Sequence, residues 1–178
     1  MTTSAIESAL IVSVPAAEPV VGMLRKRLDS SAPLGVPAHV TVLYPFMPPE
    51  LIDAPVVSEL AKLFSGVDGF HLALTTVGWF ETEVVYLVPE PQAAFKALTA
   101  MVFERWPDYP PYEGLHHDPT PHLTVGDNED YASMLEAVSA VEPLLPVETI
   151  VTEVELLAGD STPGSWKRLA VFPLRRDV

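Results

Sequence analysis

Two short segments of the chain share one pattern, Ala38-His39-Val40-Thr41-Val42 and Pro121-His122-Leu123-Thr124-Val125. Each reads as a strand, and strand side chains alternate faces with a period of two. His39 and Thr41 therefore share one face of the first strand, and His122 and Thr124 share one face of the second. Val40, Val42, Leu123 and Val125 point the other way. A chain carrying this arrangement twice needs a fold that gives both strands a buried back and a polar front.

The surrounding elements repeat as well. Ala9–Val14 reads as a buried strand that stops at Pro15, and Glu18-Pro19 opens a helix with proline in its first turn. That helix has an apolar stripe of Val20, Val21, Leu24 and Leu28, with Arg25, Lys26 and Arg27 facing outward. The loop Ser30–Pro37 delivers the first His-x-Thr strand, His39–Tyr44. Asp53-Ala54-Pro55 starts a second helix with Val56, Leu60 and Leu63 inward. Phe70–Val77 and Val84–Val88 then form a strand pair joined around Gly78–Glu83.

The second half runs through a helix at Pro91–Trp106, with Phe95, Leu98 and Val102 on one side, and a loop at Pro107–Thr120. The second His-x-Thr strand follows, then a helix from about Glu129 to Val141 with Asn128 as its N-cap. A strand pair at Thr149–Ala158 and Trp166–Phe172 ends the chain. The offset that carries His39 onto His122 also carries Val84–Val88 onto Lys167–Val171. Such a repeat predicts an α+β fold in one domain, with two pseudo-symmetric lobes at about residues 1–89 and 90–178. Each lobe is expected to hold an antiparallel-rich sheet flanked by outer helices, with a central cleft between the sheets and one His on each side of it.

Composition narrows the function. There is no cysteine among the 178 residues, which excludes disulfides, thiolate zinc sites and Cys nucleophiles. The N-terminus has no basic segment before its apolar stretch, and no apolar run is long enough to span a bilayer. A cytoplasmic monomer without a membrane partner is expected. The net charge is −14, from 10 Lys plus Arg against 24 Asp plus Glu. Long duplex nucleic acid would be repelled, because binding it requires phosphate neutralisation by cations. A small nucleotide cyclic phosphate or an RNA terminus can still be held locally.

Two imidazoles flanking one phosphorus suit in-line displacement. One, neutral, removes a proton from the attacking oxygen, and the other, as imidazolium, protonates the leaving oxygen. An unperturbed pKa of about 6.5 makes both forms available near neutrality. Thr41 and Thr124 can donate hydrogen bonds to the non-bridging oxygens, where charge must be held. The scheme requires no metal or cofactor. It leaves open which His is the base.

These motifs resemble the two-histidine phosphoesterase superfamily, and within it the 2′-5′ RNA ligase-like proteins. The resemblance rests on the paired His-x-Thr motifs and on the longer strings His39-Val40-Thr41-Val42-Leu43-Tyr44-Pro45-Phe46 and Pro121-His122-Leu123-Thr124-Val125. It implies a bilobal α+β fold and metal-independent chemistry on cyclic or 2′-5′-linked phosphodiesters. The implied activities are opening of 2′,3′-cyclic phosphates, of related ADP-ribose cyclic phosphates, or of 2′-5′ bonds, some members joining RNA ends in reverse. The expected function is a cyclic phosphodiesterase with His39 and His122 catalytic. The alternatives are a 2′-5′ RNA ligase and a non-catalytic nucleotide or phosphometabolite-binding module.

Further residues are candidates for the cleft. Tyr44 could bind substrate if a kink follows the first motif, since strict alternation puts it on the Val40 face. Lys167 or Arg168, on opposite faces of one strand, could hold the phosphate. Trp79, Phe80 and Trp166 could stack on a base or cover a lobe edge. His116, His117 and Asp118 read as a loop at the cleft entrance; adjacent residues rarely aim two imidazoles at one metal ion. His71 reads as a structural or exposed strand residue.

Overall fold

The computed structural model describes residues 5–127 and 130–176. In chain order the elements are β1 Glu7–Ser13, α1 Glu18–Leu28, β2 His39–Leu43, α2 Ala54–Ser65, β3 Phe70–Phe80 and β4 Val84–Glu90. They continue with α3 Gln92–Arg105, β5 Leu123–Asp127, α4 Tyr131–Val141, β6 Val147–Val151, β7 Glu153–Gly159 and β8 Lys167–Pro173. The strands form two four-stranded sheets, ordered β2-β1-β7-β8 and β5-β4-β3-β6. Every strand pair is antiparallel. The α+β class, two sheets and paired motifs agree with the sequence reading.

The boundary near residue 89 does not separate the sheets. Each sheet takes two strands from either side of it. The apolar run Thr149–Ala158 is also not one strand. It is β6 and β7, which break at Thr152 and enter different sheets. Both pieces look like strand locally, so only the partners distinguish them. Nor does Val84–Val88 correspond to Lys167–Val171 by position: β4 sits inside its sheet beside β5, whereas β8 is an edge strand. The correspondence that the topology supports is β1 with β4 and β2 with β5. Each His-x-Thr strand occupies a sheet edge, beside the strand that precedes it across one helix.

The helices lock the sheets together. α1 leaves the first sheet and packs on β5 of the second, while α3 leaves the second and packs on β2 of the first. The apolar backs of the motif strands are therefore covered by the opposite half of the chain. Val40, Val42, Leu123 and Val125 are buried in one apolar cluster with Leu10, Leu60, Phe95, Leu98 and Val102. Burying a Leu or Phe side chain stabilises by about 1.5–3 kcal/mol, so this cluster holds the motif strands in place.

Helix starts follow their caps. The Asp53 carboxylate accepts from the Val56 N–H at 3.0 Å and begins α2. α4 is capped by Asp130, which accepts from the Ser133 N–H at 3.0 Å; the expected cap, Asn128, lies outside the described residues. Arg25 departs from its outward reading. It is 3% exposed, its Nε 2.7 Å from Asp29 Oδ2. Its Nη2 also donates to Ser31 Oγ and to the Val36 carbonyl. The loop after α1 folds over this face, and a charge buried there must be paired.

Candidate active site

Both motif strands bulge at the same step. Leu10 pairs with Leu43 and Ile11 with Thr41, which leaves Val42 extra on β2. Val85 pairs with Gly126 and Tyr86 with Thr124, which leaves Val125 extra on β5. A bulge bends the strand and re-aims the side chains beyond it. The residues before it keep their alternation, so His39 and Thr41, like His122 and Thr124, remain partly exposed while the residues between them are buried.

The two imidazoles are held alike. His39 Nδ1 lies 2.7 Å from the Pro37 carbonyl, and His122 Nδ1 lies 2.8 Å from the Thr120 carbonyl. A carbonyl only accepts, so Nδ1 carries the hydrogen in both rings. Nε2 is left as the nitrogen available to the cleft, unprotonated while the ring is neutral. His122 is braced further by Phe80, edge-on at 4.9 Å between ring centroids, and by Tyr86 at 5.5 Å. Ser13 pairs across from His39. Its buried hydroxyl has no partner among the described residues, and strand partners share a face.

The pairs line two adjoining cavities. One, of about 310 Å³, is lined by His39 and Thr41 with Glu7, Ile11, Tyr44 and Trp166. The other, of about 780 Å³, is lined by His122 and Thr124 with Trp79, Phe80, Tyr112 and Asp127. Three links join them. Ser30, at the first cavity, donates from its N–H and its hydroxyl to the Asp127 carboxylate at 2.7 and 2.6 Å. Tyr112, at the second, donates from its N–H to the Tyr44 carbonyl at 2.7 Å, with its phenol beside the Thr41 side chain. β2 and β5 lie against each other, and the two imidazoles are near enough for His122 to act on the charge of His39. The cavities thus form one cleft with a His-x-Thr pair on each side.

Electrostatics keeps both rings neutral. Burial is the main cause that lowers His39 to about 4; the bond to Pro37 opposes it, the Arg25 charge adds to it, Asp29 opposes and His122 adds. His122 is also lowered by burial, against the bond to Thr120. An anion placed between the rings would raise both, because it favours the charged form.

The remaining candidates separate. Tyr44 does line the cleft, because the bulge at Val42 breaks the alternation that would have turned it inward. Its hydroxyl donates to Glu7 Oε2 at 3.1 Å, and burial pushes it up to about 12 with help from the Glu7 charge. Lys167 is exposed and lines neither cavity, which corrects its expected place. Two strands stand between β8 and β2, so neither parity of β8 brings a side chain to the phosphate. Arg168 instead lies 3.6 Å from Glu155. Trp79, Phe80 and Trp166 line the cleft, as do His116 and Asp118 at its entrance, with Asp118 2.8 Å from Lys96. His71 is exposed. Among the described residues no three His, Asp or Glu side chains gather where they could hold a metal ion. No helix among them is long and apolar enough to cross a membrane.

Sequence reasoning missed Tyr112, Tyr86 and Glu7. Tyr112 sits in a Pro-rich loop without periodicity, where it and Glu113 adopt left-handed backbone at φ 50° and 56°. Such strain in consecutive non-glycine residues marks functional loops. Tyr86 had one legible cue. Gly78 lies across from it, and a Cβ there would be 2.5 Å from its ring.

Two sheets with a His-x-Thr strand at the edge of each define a two-lobed phosphoesterase fold. A family model of the 2′-5′ RNA ligase superfamily matches residues 12–163, and the chain belongs to that superfamily. A Halalkalibacterium halodurans protein named as a candidate phosphoesterase is 28% identical over 166 residues, covering 86% of this chain and 88% of the relative. Among solved structures, Escherichia coli LigT complexed with NADP+ superposes with a TM-score of 0.59 at 18% identity, covering 97% of this chain and 99% of that one. A Thermus thermophilus protein superposes with a TM-score of 0.58 at 20% identity, covering 97% and 100%. Family and fold together support a phosphoesterase or RNA ligase-like activity.

Proposed function

We propose that this protein is a metal-independent phosphodiesterase that opens 2′,3′-cyclic or related cyclic and 2′-5′ phosphodiesters of nucleotides or RNA ends. The observation that carries the reading is the matched pinning of two imidazoles by their Nδ1 atoms, which leaves an Nε2 on either side of one cleft. Thr41 and Thr124 stand beside them as donors for the non-bridging oxygens. Escherichia coli LigT has been solved with NADP+ and with 3′-AMP, which supports a nucleotide-sized ligand here.

In the reaction, water attacks phosphorus and gives its proton to one Nε2. The bond from phosphorus to the ribose oxygen breaks, and that oxygen takes a proton from the other Nε2. A ring-opened phosphomonoester leaves, and the imidazoles return to their starting states through solvent. His39, lowered to about 4, is assigned as the base. His122 is the acid, charged once the substrate anion is beside it. With the ribose hydroxyl of a second RNA end in place of water, the same displacement forms a new phosphodiester, the cyclic bond to the ribose oxygen breaks, and the two ends are joined.

Turnover of nucleoside 2′,3′-cyclic monophosphates and ADP-ribose 1″,2″-cyclic phosphate tests this, measured in EDTA with wild type, His39→Ala and His122→Ala. Each variant should lose about 10²–10⁴-fold in rate. Undiminished turnover in both would overturn the assignment. Tight nucleotide retention by wild type without turnover would instead make the protein a binding module.

A further inference from the structure

The cavity beside His39 has the build of a ring site. Its floor is a small apolar cluster, separate from the main core, of Ala9, Ile11, Leu157 and Trp166 with Leu34, Val36 and Tyr44 packed against it. The Trp166 ring is fixed. Its Nε1–H donates to the Asp160 carbonyl at 3.1 Å, and it lies so close over Gly159 that a Cβ there would be 2.5 Å from it. The Tyr44 ring stands 6.2 Å from it, tilted by 57°. At about 310 Å³ the cavity is at the small end of the range of roughly 300–1,000 Å³ for small-molecule sites. It has room for a base and part of its sugar.

Charge sets what that ring must carry. Glu7, partly buried at the cavity, accepts the Tyr44 hydroxyl on Oε2, and its Oε1 has no partner among the described residues. An ionised carboxylate only accepts, so it reads amino and ring N–H groups and repels carbonyl edges. Among the described residues no Lys or Arg lines either cavity, whereas Glu7 and Asp160 line one and Glu81, Glu83, Asp118 and Asp127 line the other. A cleft of this sign can hold the one charge that two imidazoles and two hydroxyls accommodate. Asp118 is paired with Lys96 at 2.8 Å, but no ion pair among the described residues neutralises the other five carboxylates, so a second phosphate would meet a net negative lining.

Resting on the phosphodiesterase reading above, we propose that this cavity is the recognition subsite for an amino-bearing heterocycle on a singly charged phosphodiester. Within the range of nucleotides and RNA ends proposed above, it favours the substrate that carries no further phosphate. The aromatic floor holds the ring, Glu7 takes its amino edge, and the acidic cleft disfavours polyphosphates, 5′-phosphorylated nucleotides and polynucleotide tracts.

The test compares kcat/KM for cytidine and uridine 2′,3′-cyclic monophosphates, each with and without a 5′-phosphate, in wild type and Glu7→Gln. Cytidine presents an amino group where uridine presents a carbonyl. Wild type should prefer the cytidine form by about 5- to 150-fold, the worth of one well-made base-edge contact. Glu7→Gln should erase that preference, because an amide both donates and accepts. The 5′-phosphate should raise KM by about 10-fold or more, and added salt should shrink the penalty by screening. Equal rates for cytidine and uridine forms, or faster turnover of the 5′-phosphorylated ones, would overturn the proposal. If wild type turns over none of them, the phosphodiesterase reading fails. Calorimetric titration of the same four ligands still decides the cavity, and equal affinities would refute it.

Discussion

Tyr112 and Tyr44 are joined across the cleft, the Tyr112 N–H donating to the Tyr44 carbonyl at 2.7 Å, which sets the Tyr112 phenol, on the loop that leads to the second motif, beside Thr41 of the first. Burial raises the Tyr112 phenol while the nearby Thr41 side chain opposes the shift, so the hydroxyl stays protonated and can donate. The loop holds it there at the expense of two left-handed residues. Tyr112→Phe keeps the ring and the loop and removes only the donor. A fall in kcat of about 10-fold with an unchanged melting temperature is expected, equivalent to about 1.4 kcal/mol of transition-state stabilisation. Steady-state kinetics on the preferred cyclic phosphate checks it. A loss confined to KM would mean that the tyrosine holds substrate and does nothing further.

The lowering of His39 to about 4 couples folding to pH. In the unfolded chain the group titrates near about 6.5. Below that, the unfolded chain binds a proton that the folded protein refuses. Stability from this group is full above about pH 6.5 and falls as pH drops toward 4. At pH 4.5 the loss is about 2–3 kcal/mol, and His122 adds to it in the same direction. Urea unfolding of wild type and His39→Gln at pH 7.5 and 4.5 isolates the term. The wild type should lose more stability than the variant by about that amount.

Catalysis should show the same groups from the other side. On the proposed assignment, the free enzyme needs a neutral His39 and a protonated His122. With His39 at about 4 and His122 lowered below its ordinary value, kcat/KM should peak on the acid side of about pH 6.5. It should decline above that as His122 loses its proton. A substrate anion raises His122, so the profile of kcat should extend to higher pH than that of kcat/KM. A kcat/KM that keeps rising to pH 9 would exclude His122 as the acid.

The sequence shows some of this plainly and hides the rest for physical reasons. Period-two alternation placed His39 with Thr41 and His122 with Thr124, and helical periodicity found Phe95, Leu98 and Val102, because both are local geometry. The fate of Arg25 depended on a loop folding over a helix face, which periodicity does not contain. Lys167 failed because parity says which face a residue is on and not how many strands separate it from the site. Thr149–Ala158 failed because a run that reads as strand does not name its sheet. Tyr44 reached the cleft through a bulge at Val42, a register step visible only once β1 is paired with β2. Tyr112 has no pattern at all, and only its backbone marks it.

Arg25 offers a test of how the first motif is held. It bonds Asp29, Ser31 and the Val36 carbonyl, while Glu18 takes the Ala38 N–H at 2.8 Å. These contacts shape the segment that presents Pro37 to His39. Arg25→Met fills the space and leaves Asp29 buried without its cation, so a loss of about 3–5 kcal/mol is expected. The double variant Arg25→Met, Asp29→Asn should recover part of it. In the single variant the Arg25 charge no longer lowers His39 while Asp29 still raises it, so His39 should titrate at higher pH. An NMR titration of its ring protons reads this directly, and a shift downward would contradict the account.

Two glycines carry the aromatic rings on either side of the cleft, and substituting them should have different kinetic consequences. A Cβ on Gly78 would lie 2.5 Å from the Tyr86 ring, and one on Gly159 would lie 2.5 Å from the Trp166 ring. Neither contact can persist, so each ring must move, at a cost of about 1–3 kcal/mol in stability. Tyr86 stands 5.5 Å from His122, so Gly78→Ala disturbs the orientation of an imidazole and should lower kcat. Trp166 floors the cavity beside His39, so Gly159→Ala disturbs the ring site and should raise KM with kcat nearly kept. A proton-transfer group misaimed by even a fraction of an ångström loses rate in the transition state, whereas a lost stacking surface weakens binding of ground and transition states alike. The pair of variants, assayed on one substrate at about 20 °C to stay clear of their lowered melting temperatures, separates these cases. Equal effects of both variants on kcat would mean that the two sides of the cleft do not divide chemistry from recognition.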